Sequence, residues 1–378
     1  MDLHASERPT RILVDLDRIV GNWRAIRAHA GVPAMAIVKA NAYGHGLVEV
    51  AQHLQAAGVE HLGVAFPEEG IALRRAGITV PILVLGGIFG PQLAQYLAHD
   101  LQVTVSSLEK LRQVEAAAET LGRRAVVHLK IDTGMERIGV HAWAAGSFIR
   151  AAVASRWIEL AGIYSHLACA DEPGSPMTAL QLERFHDACA HFGRLGAPVP
   201  PRHIANSAGI LHFPETHLDM VRPGILLYGV LPGPEARSTV AVEPAMSLVS
   251  RVVYFKVVEA GHTVSYGATW APESDTRVVT VPIGYGDGYP RALSSRGRVL
   301  IRGREYPVVG RVCMDQFMVD IGSDSVWNED EVVLIGEQGG SRLRVEQVAE
   351  AAGMIAYEVL VGLNSRIPRI HRGSLSRG

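Results

Sequence analysis

Of the 36 Lys and Arg residues in this 378-residue chain, only Lys39, Lys110, Lys130 and Lys256 are lysines. An amine nucleophile therefore has few places to sit. Lys39 closes the apolar run Ala34-Met-Ala-Ile-Val and opens Ala-Asn-Ala-Tyr43-Gly-His-Gly46, a loop with two glycines. Flanked by apolar residues, a lysine loses hydration, which disfavours its ammonium form and lowers its pKa toward neutrality. Schiff-base chemistry requires an amine in that state. The alternative is an ordinary strand-end lysine whose head snorkels to water. Lys130 also ends an apolar strand, Val126-Val-His-Leu-Lys-Ile-Asp, just before Thr133-Gly134-Met135-Glu136-Arg137. It is a second candidate, and pairing with a nearby acid reads it equally well. Lys110 falls in a capped amphipathic helix and Lys256 alternates along a strand, so both are expected to face water.

The elements that must position these groups change character once along the chain. Over residues 11–240, short apolar strands alternate with amphipathic helical stretches. The strands are expected at Pro33–Lys39, His61–Ala65, Pro81–Leu85, Gln102–Val105, Ala125–Ile131, Glu159–His166, Arg202–Asn206 and Asp219–Arg222. Asp17 is a candidate N-cap for a helix carrying Val20, Trp23, Ile26 and Arg27, and Ser106 with Glu109 reads as a capping box. Eight such strands over about 200 residues fit an α/β fold closed as a (β/α)₈ TIM-type barrel. From 241 to 378, strands punctuated by Gly and Pro are expected at Arg251–Val258, Arg277–Val281, Arg298–Arg302, Tyr306–Val309, Met318–Ile321 and Glu331–Ile335. This is the pattern of a mainly antiparallel β C-terminal domain, with a last helix near Val345. The alternating segment at about 11–16 is expected to pair with that second domain.

Barrel enzymes work at the C-terminal strand ends, and three more of these ends carry polar groups that apolar strands do not need. One ends in Tyr-Ser-His166, one leads through Asn206 into Ser207, and the last delivers Arg222-Pro-Gly224-Ile225. Late barrel loops commonly hold a phosphate with backbone N–H groups and a hydroxyl. Ser207, Gly224 and Ile225 suit that role, which points to a phosphorylated ligand. Gly284-Tyr-Gly-Asp-Gly288 is glycine-rich but lacks the helix of a dinucleotide fingerprint, and no Walker A sequence exists. The 16 histidines include no H-E-x-x-H. His212 and His217 read as surface loop residues, so no metal is expected. The chain is 48% hydrophobic with a formal net charge of -2, which supplies a core and gives no electrostatic reason for a nucleic-acid or membrane partner. Met1 to Thr10 is polar, and the cysteines are three, far apart and without C-x-x-C. A cytoplasmic protein is expected.

Val38-Lys39-Ala-Asn-Ala-Tyr43-Gly-His-Gly resembles the signature of the alanine racemases at the lysine that holds pyridoxal 5'-phosphate (PLP). Lys130-Ile-Asp-Thr-Gly-Met-x-Arg137-x-Gly139, Ser165-His166-Leu-Ala-Cys-Ala-Asp171, Thr263-Val-Ser-Tyr266-Gly267 and Arg311-Val-Cys313-Met314-Asp315 resemble further motifs of that family, in order, over nearly the full chain. The resemblance implies a PLP-dependent racemase that interconverts L- and D-alanine, supplying D-alanine for peptidoglycan. It implies a head-to-tail homodimer in which Lys39 of one chain meets Tyr266 of the other. Lys39 would hold PLP and act on the D-enantiomer, and Tyr266 would act on the L-enantiomer. A free tyrosine, with a pKa near ~10, is a poor base at neutral pH. His166, bonded to Tyr266 and to Arg222, would stabilise the phenolate. Arg222 would face the pyridine nitrogen, and an arginine can only donate there. The resemblance further places Arg137 on the substrate carboxylate, Met314 and Asp315 on the substrate side, and Tyr285 at the entrance. Tyr43, Asn206, Ser207, Gly224, Ile225 and Tyr357 belong to the cofactor set, and Lys130 to a position often carbamylated, bracing Arg137. Met354 departs from the family pattern, which has a small polar residue before Tyr357.

Three rivals remain. A racemase for serine, lysine or several amino acids would differ in pocket volume. A PLP decarboxylase of the same fold would set an acid where Arg222 stands. A non-catalytic PLP-binding protein would keep the barrel and Lys39 but leave the last 140 or so residues, Tyr266 and Met314 included, without a role.

Overall fold

The computed structural model describes residues 8–236 and 239–374, which form two compact units. The larger unit comprises Arg18–Ala42 and Leu47–Glu243. Its sheet runs, in spatial order, through Ala36–Ile37, Leu62–Val64, Ile82–Val84, Leu101–Val105, Ala125–Asp132, Ile158–Tyr164 and Arg202–His203, every pair parallel. The eighth position is filled by an extended segment rather than the regular strand expected at Asp219–Arg222. Val221 bridges Ala34, donating to Pro33 O at 3.0 Å and accepting from Met35 N–H at 2.9 Å. On its other side, Asp219 and Arg222 donate to Arg202 and Ala205 at 3.1 and 3.0 Å. The ring is thereby closed. Pro223 has no N–H to offer, so the ladder continues past Val221 on one side only, through Pro223 O accepting from Ile37 N–H at 3.2 Å. Leu62–Val64 and Ile82–Val84 are buried at every position, as befits strands covered on both faces by helices and core.

The helix Leu16–Ala30 buries Ile19, Val20, Trp23 and Ile26 on one stripe, and the Trp23 indole N–H donates to Ala34 O at 3.0 Å. Asp17 lies within its first turn rather than capping it, and its carboxylate accepts from Ser374 N–H at 2.8 Å. Helix Leu108–Thr120 is capped one residue later than expected: Ser107, not Ser106, accepts from Lys110 N–H at 3.0 Å.

The second unit, built from residues up to Asp17, Tyr43–Gly46 and Pro244 onward, carries a ten-stranded, mainly antiparallel sheet. Strand Arg11–Asp15 lies in it, antiparallel to Met246–Arg251 and parallel to Arg369–Arg372. The continuous strand expected at Arg251–Val258 is two, Met246–Arg251 and Tyr254–Val258. Between them the backbone changes partners: Val252 donates to Asp330 O, and Val253 to Thr280 O. The helix Val345–Ala352 ends at Gly353, whose φ of +66° suits a residue without a Cβ. Met354, the departure from the family pattern, is half-buried and donates to Ala349 O at 2.9 Å. Among the described residues no helix is long and apolar enough to cross a membrane.

Candidate active site

Lys39 stands where the first barrel strand ends. The chain then turns left-handed for four residues, with φ of +52° to +55° at Ala40, Asn41, Ala42 and Tyr43. L-residues resist this by roughly 1–2 kcal/mol each, so other bonds must hold it. Glu69 supplies one, accepting from Ala40 N–H at 2.6 Å while its other oxygen takes Ala65 N–H at 2.8 Å. Asn41 supplies another, accepting from Leu47 N–H at 2.9 Å. Lys39 is half-buried. Its pKa is lowered, chiefly by burial and then by the Arg137 guanidinium.

The Ala125–Asp132 strand points His128, Lys130 and Asp132 to one face, at alternate positions. Lys130 is buried with its Nζ 4.2 Å from the centre of the Tyr164 ring. Burial and the nearby Arg222 and Arg137 charges push its pKa well down. Asp132 accepts from the N–H groups of Gly134, Met135, Glu136 and Arg137 at 2.8 to 3.2 Å, and so shapes the loop that carries Arg137. Lys130, Asp132, Met135, Arg137, Ser165 and His166 line one cleft.

Arg222 is buried, and every partner it has is neutral. Nη1 donates to His203 Nδ1 at 2.9 Å. Nη2 donates to Ser165 O at 2.8 Å, Ile204 O at 3.2 Å and His166 Nδ1 at 3.3 Å. An arginine cannot accept, so both imidazoles must present a bare Nδ1 to it. Tautomers then follow down a chain. His203 carries its proton on Nε2 and donates to His128 Nδ1 at 2.9 Å, and His128 Nε2 donates to Gln102 Oε1 at 3.0 Å. Burial and the Arg222 charge keep these imidazoles neutral: His128 is lowered to about 3, and His203 and His166 well below the usual range. Tyr164 stacks on His203 with ring centres 4.8 Å apart and bonds Thr104 at 2.8 Å. Gly162 is glycine for a stated reason: a Cβ there would meet His128 Nδ1 at 2.2 Å. Gln181 fixes the His166 backbone, donating to its carbonyl at 2.9 Å.

Ser207 is bonded to the Gly224–Leu226 segment, which contains Ile225. The Ser207 hydroxyl accepts from Gly224 N–H at 2.9 Å and Leu226 N–H at 3.2 Å, all of it buried. Asn206 is occupied in capping, accepting from Gly209 N–H at 2.9 Å. In the other unit Tyr43 and Tyr357 face each other with ring centres 6.1 Å apart, and burial beside Tyr357 raises the Tyr43 phenol. Tyr266 belongs to that unit too. It is 70% exposed, between Ser265 and Gly267, both at positive φ. The Ser265 hydroxyl donates to Arg311 O at 2.7 Å, so the Arg311–Asp315 motif holds the turn beneath Tyr266. Tyr285 and Met314 are also exposed, and Asp315 pairs with Arg366 at 2.7 Å.

Family models for the alanine racemase N-terminal and C-terminal domains match residues 14–232 and 245–371. The chain belongs to the alanine racemase family. It is similar to a curated alanine racemase of Symbiobacterium thermophilum, 46% identical over 99% of each chain. Among solved structures it is similar to the alanine racemase of D-cycloserine-producing Streptomyces lavendulae, at 41% identity and a TM-score of 0.94 over 98% of each chain. The alanine racemase of Streptomyces coelicolor A3(2) matches at 39% identity and a TM-score of 0.94, over 99% of this chain and 100% of that one.

Alanine racemases depend on PLP, and the donor set of this chain fits that cofactor. A half-buried amine of lowered pKa suits an aldehyde, and a buried guanidinium ringed by neutral acceptors suits an unprotonated ring nitrogen. The Ser207 hydroxyl accepts two N–H bonds and so has its own O–H to donate, which suits a phosphate. Sequence reasoning missed His128, His203 and Asp132, and noted Tyr164 only as part of a polar strand end. It also mistook His217 for a surface residue: it is buried, with Nε2 3.1 Å from Ile210 O. No cluster of metal-ligating residues occurs among the described residues.

Proposed function

We propose that the chain racemises alanine between two opposed acid–base groups, Lys39 and Tyr266 of the partner subunit. The observation that carries this reading is the all-neutral setting of Arg222 next to His166, at the same barrel mouth as an amine of lowered pKa. When bound, PLP withdraws electrons from the substrate Cα and acidifies its hydrogen. Lys39 would hold the cofactor and exchange a proton on the face used by D-alanine. His166 accepts from Arg222 through Nδ1 and so keeps its Nε2 proton for the phenolate of Tyr266. Arg222 donates and never protonates what it faces, which keeps the cofactor a weaker electron sink than an acidic partner would, and disfavours transamination. Arg137, on the Asp132-braced loop, would take the substrate carboxylate. Burial and the Arg222 and Arg137 charges favour the uncharged amine of Lys130, which suits carbamylation, and that would turn it into an anion able to brace Arg137.

The shared site rests on exposure. Tyr266 and Met314 stand in solvent at 70% and 53%, and Phe66, Phe89 and Trp143 of the barrel unit are open large apolar groups. These features support a head-to-tail homodimer. All three cysteines are free thiols, which supports a reducing compartment such as the cytoplasm, and membership of the alanine racemase family supports a role in supplying D-alanine for peptidoglycan.

Purified, PLP-loaded protein given L-alanine is expected to form D-alanine rapidly, read by a stereospecific coupled oxidase, with L-serine and L-lysine much slower. No D-alanine from protein that keeps its PLP absorbance would refute alanine as substrate. Tyr266→Phe should retain PLP while turnover falls by about 10²-fold or more. Unchanged turnover would remove Tyr266 as the second base.

A further inference from the structure

The glycine-rich segment Gly284-Tyr-Gly-Asp-Gly288, which fits no nucleotide motif, has a different use. Its backbone is zipped to the Met314 loop: Tyr285 N–H donates to Cys313 O at 3.1 Å and Gly286 N–H to Met314 O at 2.8 Å. A Cβ at Gly284 or Gly286 would meet Met314 O at 2.4 or 2.9 Å, so only glycine admits this approach. Between those glycines and Gly288 lies Asp287, a carboxylate with no exposure at all. A buried carboxylate needs cations and donors around it. Asp287 has Arg8 at 2.7 Å, Arg366 Nε at 3.4 Å and Gly284 N–H at 3.1 Å. Asn364 closes the third side, donating from its backbone to Asp287 O at 3.1 Å and from its side chain to Gly286 O at 2.9 Å.

Arg366 is shared. Its Nε faces Asp287, and its Nη2 donates to Asp315 Oδ1 at 2.7 Å. One guanidinium therefore lies between a desolvated carboxylate, which it meets as an ion pair, and an exposed one, to which it donates a hydrogen bond, and the charge of the first biases where the guanidinium can sit for the second. The three segments 284–288, 313–315 and 364–366 form one tied block that presents Tyr285, Met314 and Asp315 to solvent in the protomer.

We propose that Arg366, oriented by Asp287, is a positioning and specificity-determining residue: it fixes Asp315 and the Met314 loop, and so sets the room given to the substrate side chain. This rests on the reading that Met314, Asp315 and Tyr285 face the substrate. Loosening the block changes substrate fit more than proton transfer, so KM moves more than kcat.

The test compares Arg366→Ala, Arg366→Lys, Asp315→Asn and Met314→Ala as PLP-loaded proteins, with kcat and KM for L-alanine, L-serine and L-lysine, and a melting curve for each. Arg366→Ala is expected to raise the alanine KM about threefold to tenfold, with a smaller change in kcat, and to narrow the preference for alanine over serine. Arg366→Lys keeps the charge but not the fork and should fall between. Asp315→Asn breaks the same bond from its exposed end, so it reports on the coupling even if an Arg366 variant folds poorly. If Met314→Ala alters the alanine-to-serine preference while Arg366→Ala and Asp315→Asn leave it and KM unchanged, the proposal is overturned and the substrate-facing reading stands. If Met314→Ala also changes nothing, the substrate-facing reading falls and takes the proposal with it.

Discussion

The chain Arg222–His203–His128–Gln102 makes the barrel sensitive to acid in a calculable way. His128 and His203 are buried and hold folded pKa values far below the unfolded value of ~6.5. Above pH 6.5 both are neutral in either state and stability does not depend on them. As pH falls below 6.5 the unfolded chain binds two protons that the folded chain refuses, so stability drops with falling pH. Each refusal costs about 1.4 kcal/mol per pH unit once the unfolded group is fully charged. Between pH 7 and pH 5 the loss is about 2 kcal/mol per imidazole, or about 4 kcal/mol for the pair. That is a large fraction of the ~5–15 kcal/mol by which domains are stable. The assay is urea unfolding followed by circular dichroism at pH 7, 6 and 5 and constant ionic strength. The double variant His128→Gln with His203→Gln is the control. Glutamine still accepts from Arg222 and donates onward, so the chain of bonds survives without its titration. A midpoint drop of about 1–2 M urea is expected for the wild type, from the ~4 kcal/mol loss and an m-value of ~2–3 kcal/mol/M, with most of it gone in the double variant. A wild-type loss under ~1 kcal/mol, or an equal loss in the double variant, would refute the buried-neutral assignment.

Two more predictions follow from the same bonds. Ser207→Ala leaves the buried N–H groups of Gly224 and Leu226 without their acceptor, at about 1–3 kcal/mol per unsatisfied donor. Its melting temperature should fall and its PLP affinity weaken about tenfold, read by absorbance on titration. If both stay unchanged, the hydroxyl is not what organises that turn. Asp132→Asn replaces one of two accepting oxygens with a donor, against a loop that offers four N–H groups. The alanine KM should rise about tenfold with a smaller effect on kcat, since Arg137 loses its placement rather than its chemistry. A kcat loss with KM unchanged would show that the loop serves the proton-transfer step instead.

What could be read from sequence is what violates a simple pattern. An apolar strand ending in Lys39, His166 or Arg222 breaks its own logic at one point, and that point is the barrel mouth. The second layer was hidden because its residues sit inside strands, where a single polar side chain reads as a local exception. Yet a signal was present. In Ala125–Asp132, His128, Lys130 and Asp132 fall at alternate positions of an otherwise apolar run, so all three must share the inward face. The left-handed turn at Ala40–Tyr43 had only Asn41 as a mark, since Asn visits positive φ more readily than most residues while two alanines and a tyrosine carry no such preference. Its cause is tertiary, in Glu69 and in the bond from Leu47 to Asn41. The eighth barrel strand was legible as a place but not as a ladder, because Pro223 can accept but not donate in the pairing that Val221 begins.

The same reasoning explains why Gly162 interrupts a barrel strand and Gly284 and Gly286 a loop. Glycine in a strand weakens it, and it is tolerated where another group must come close. At Gly162 that group is the His128 ring, the middle of the chain that keeps Arg222 among neutral partners. At Gly284 and Gly286 it is the Met314 backbone, which Arg366 and Asp287 tie in place. In both, a residue with no side chain marks a contact that supports a functional group one step away. The sites' second layer is therefore written partly in what the sequence leaves out, and a Gly162→Ala change should disturb Arg222 at the barrel mouth indirectly, by way of the His128 ring that the new Cβ would meet.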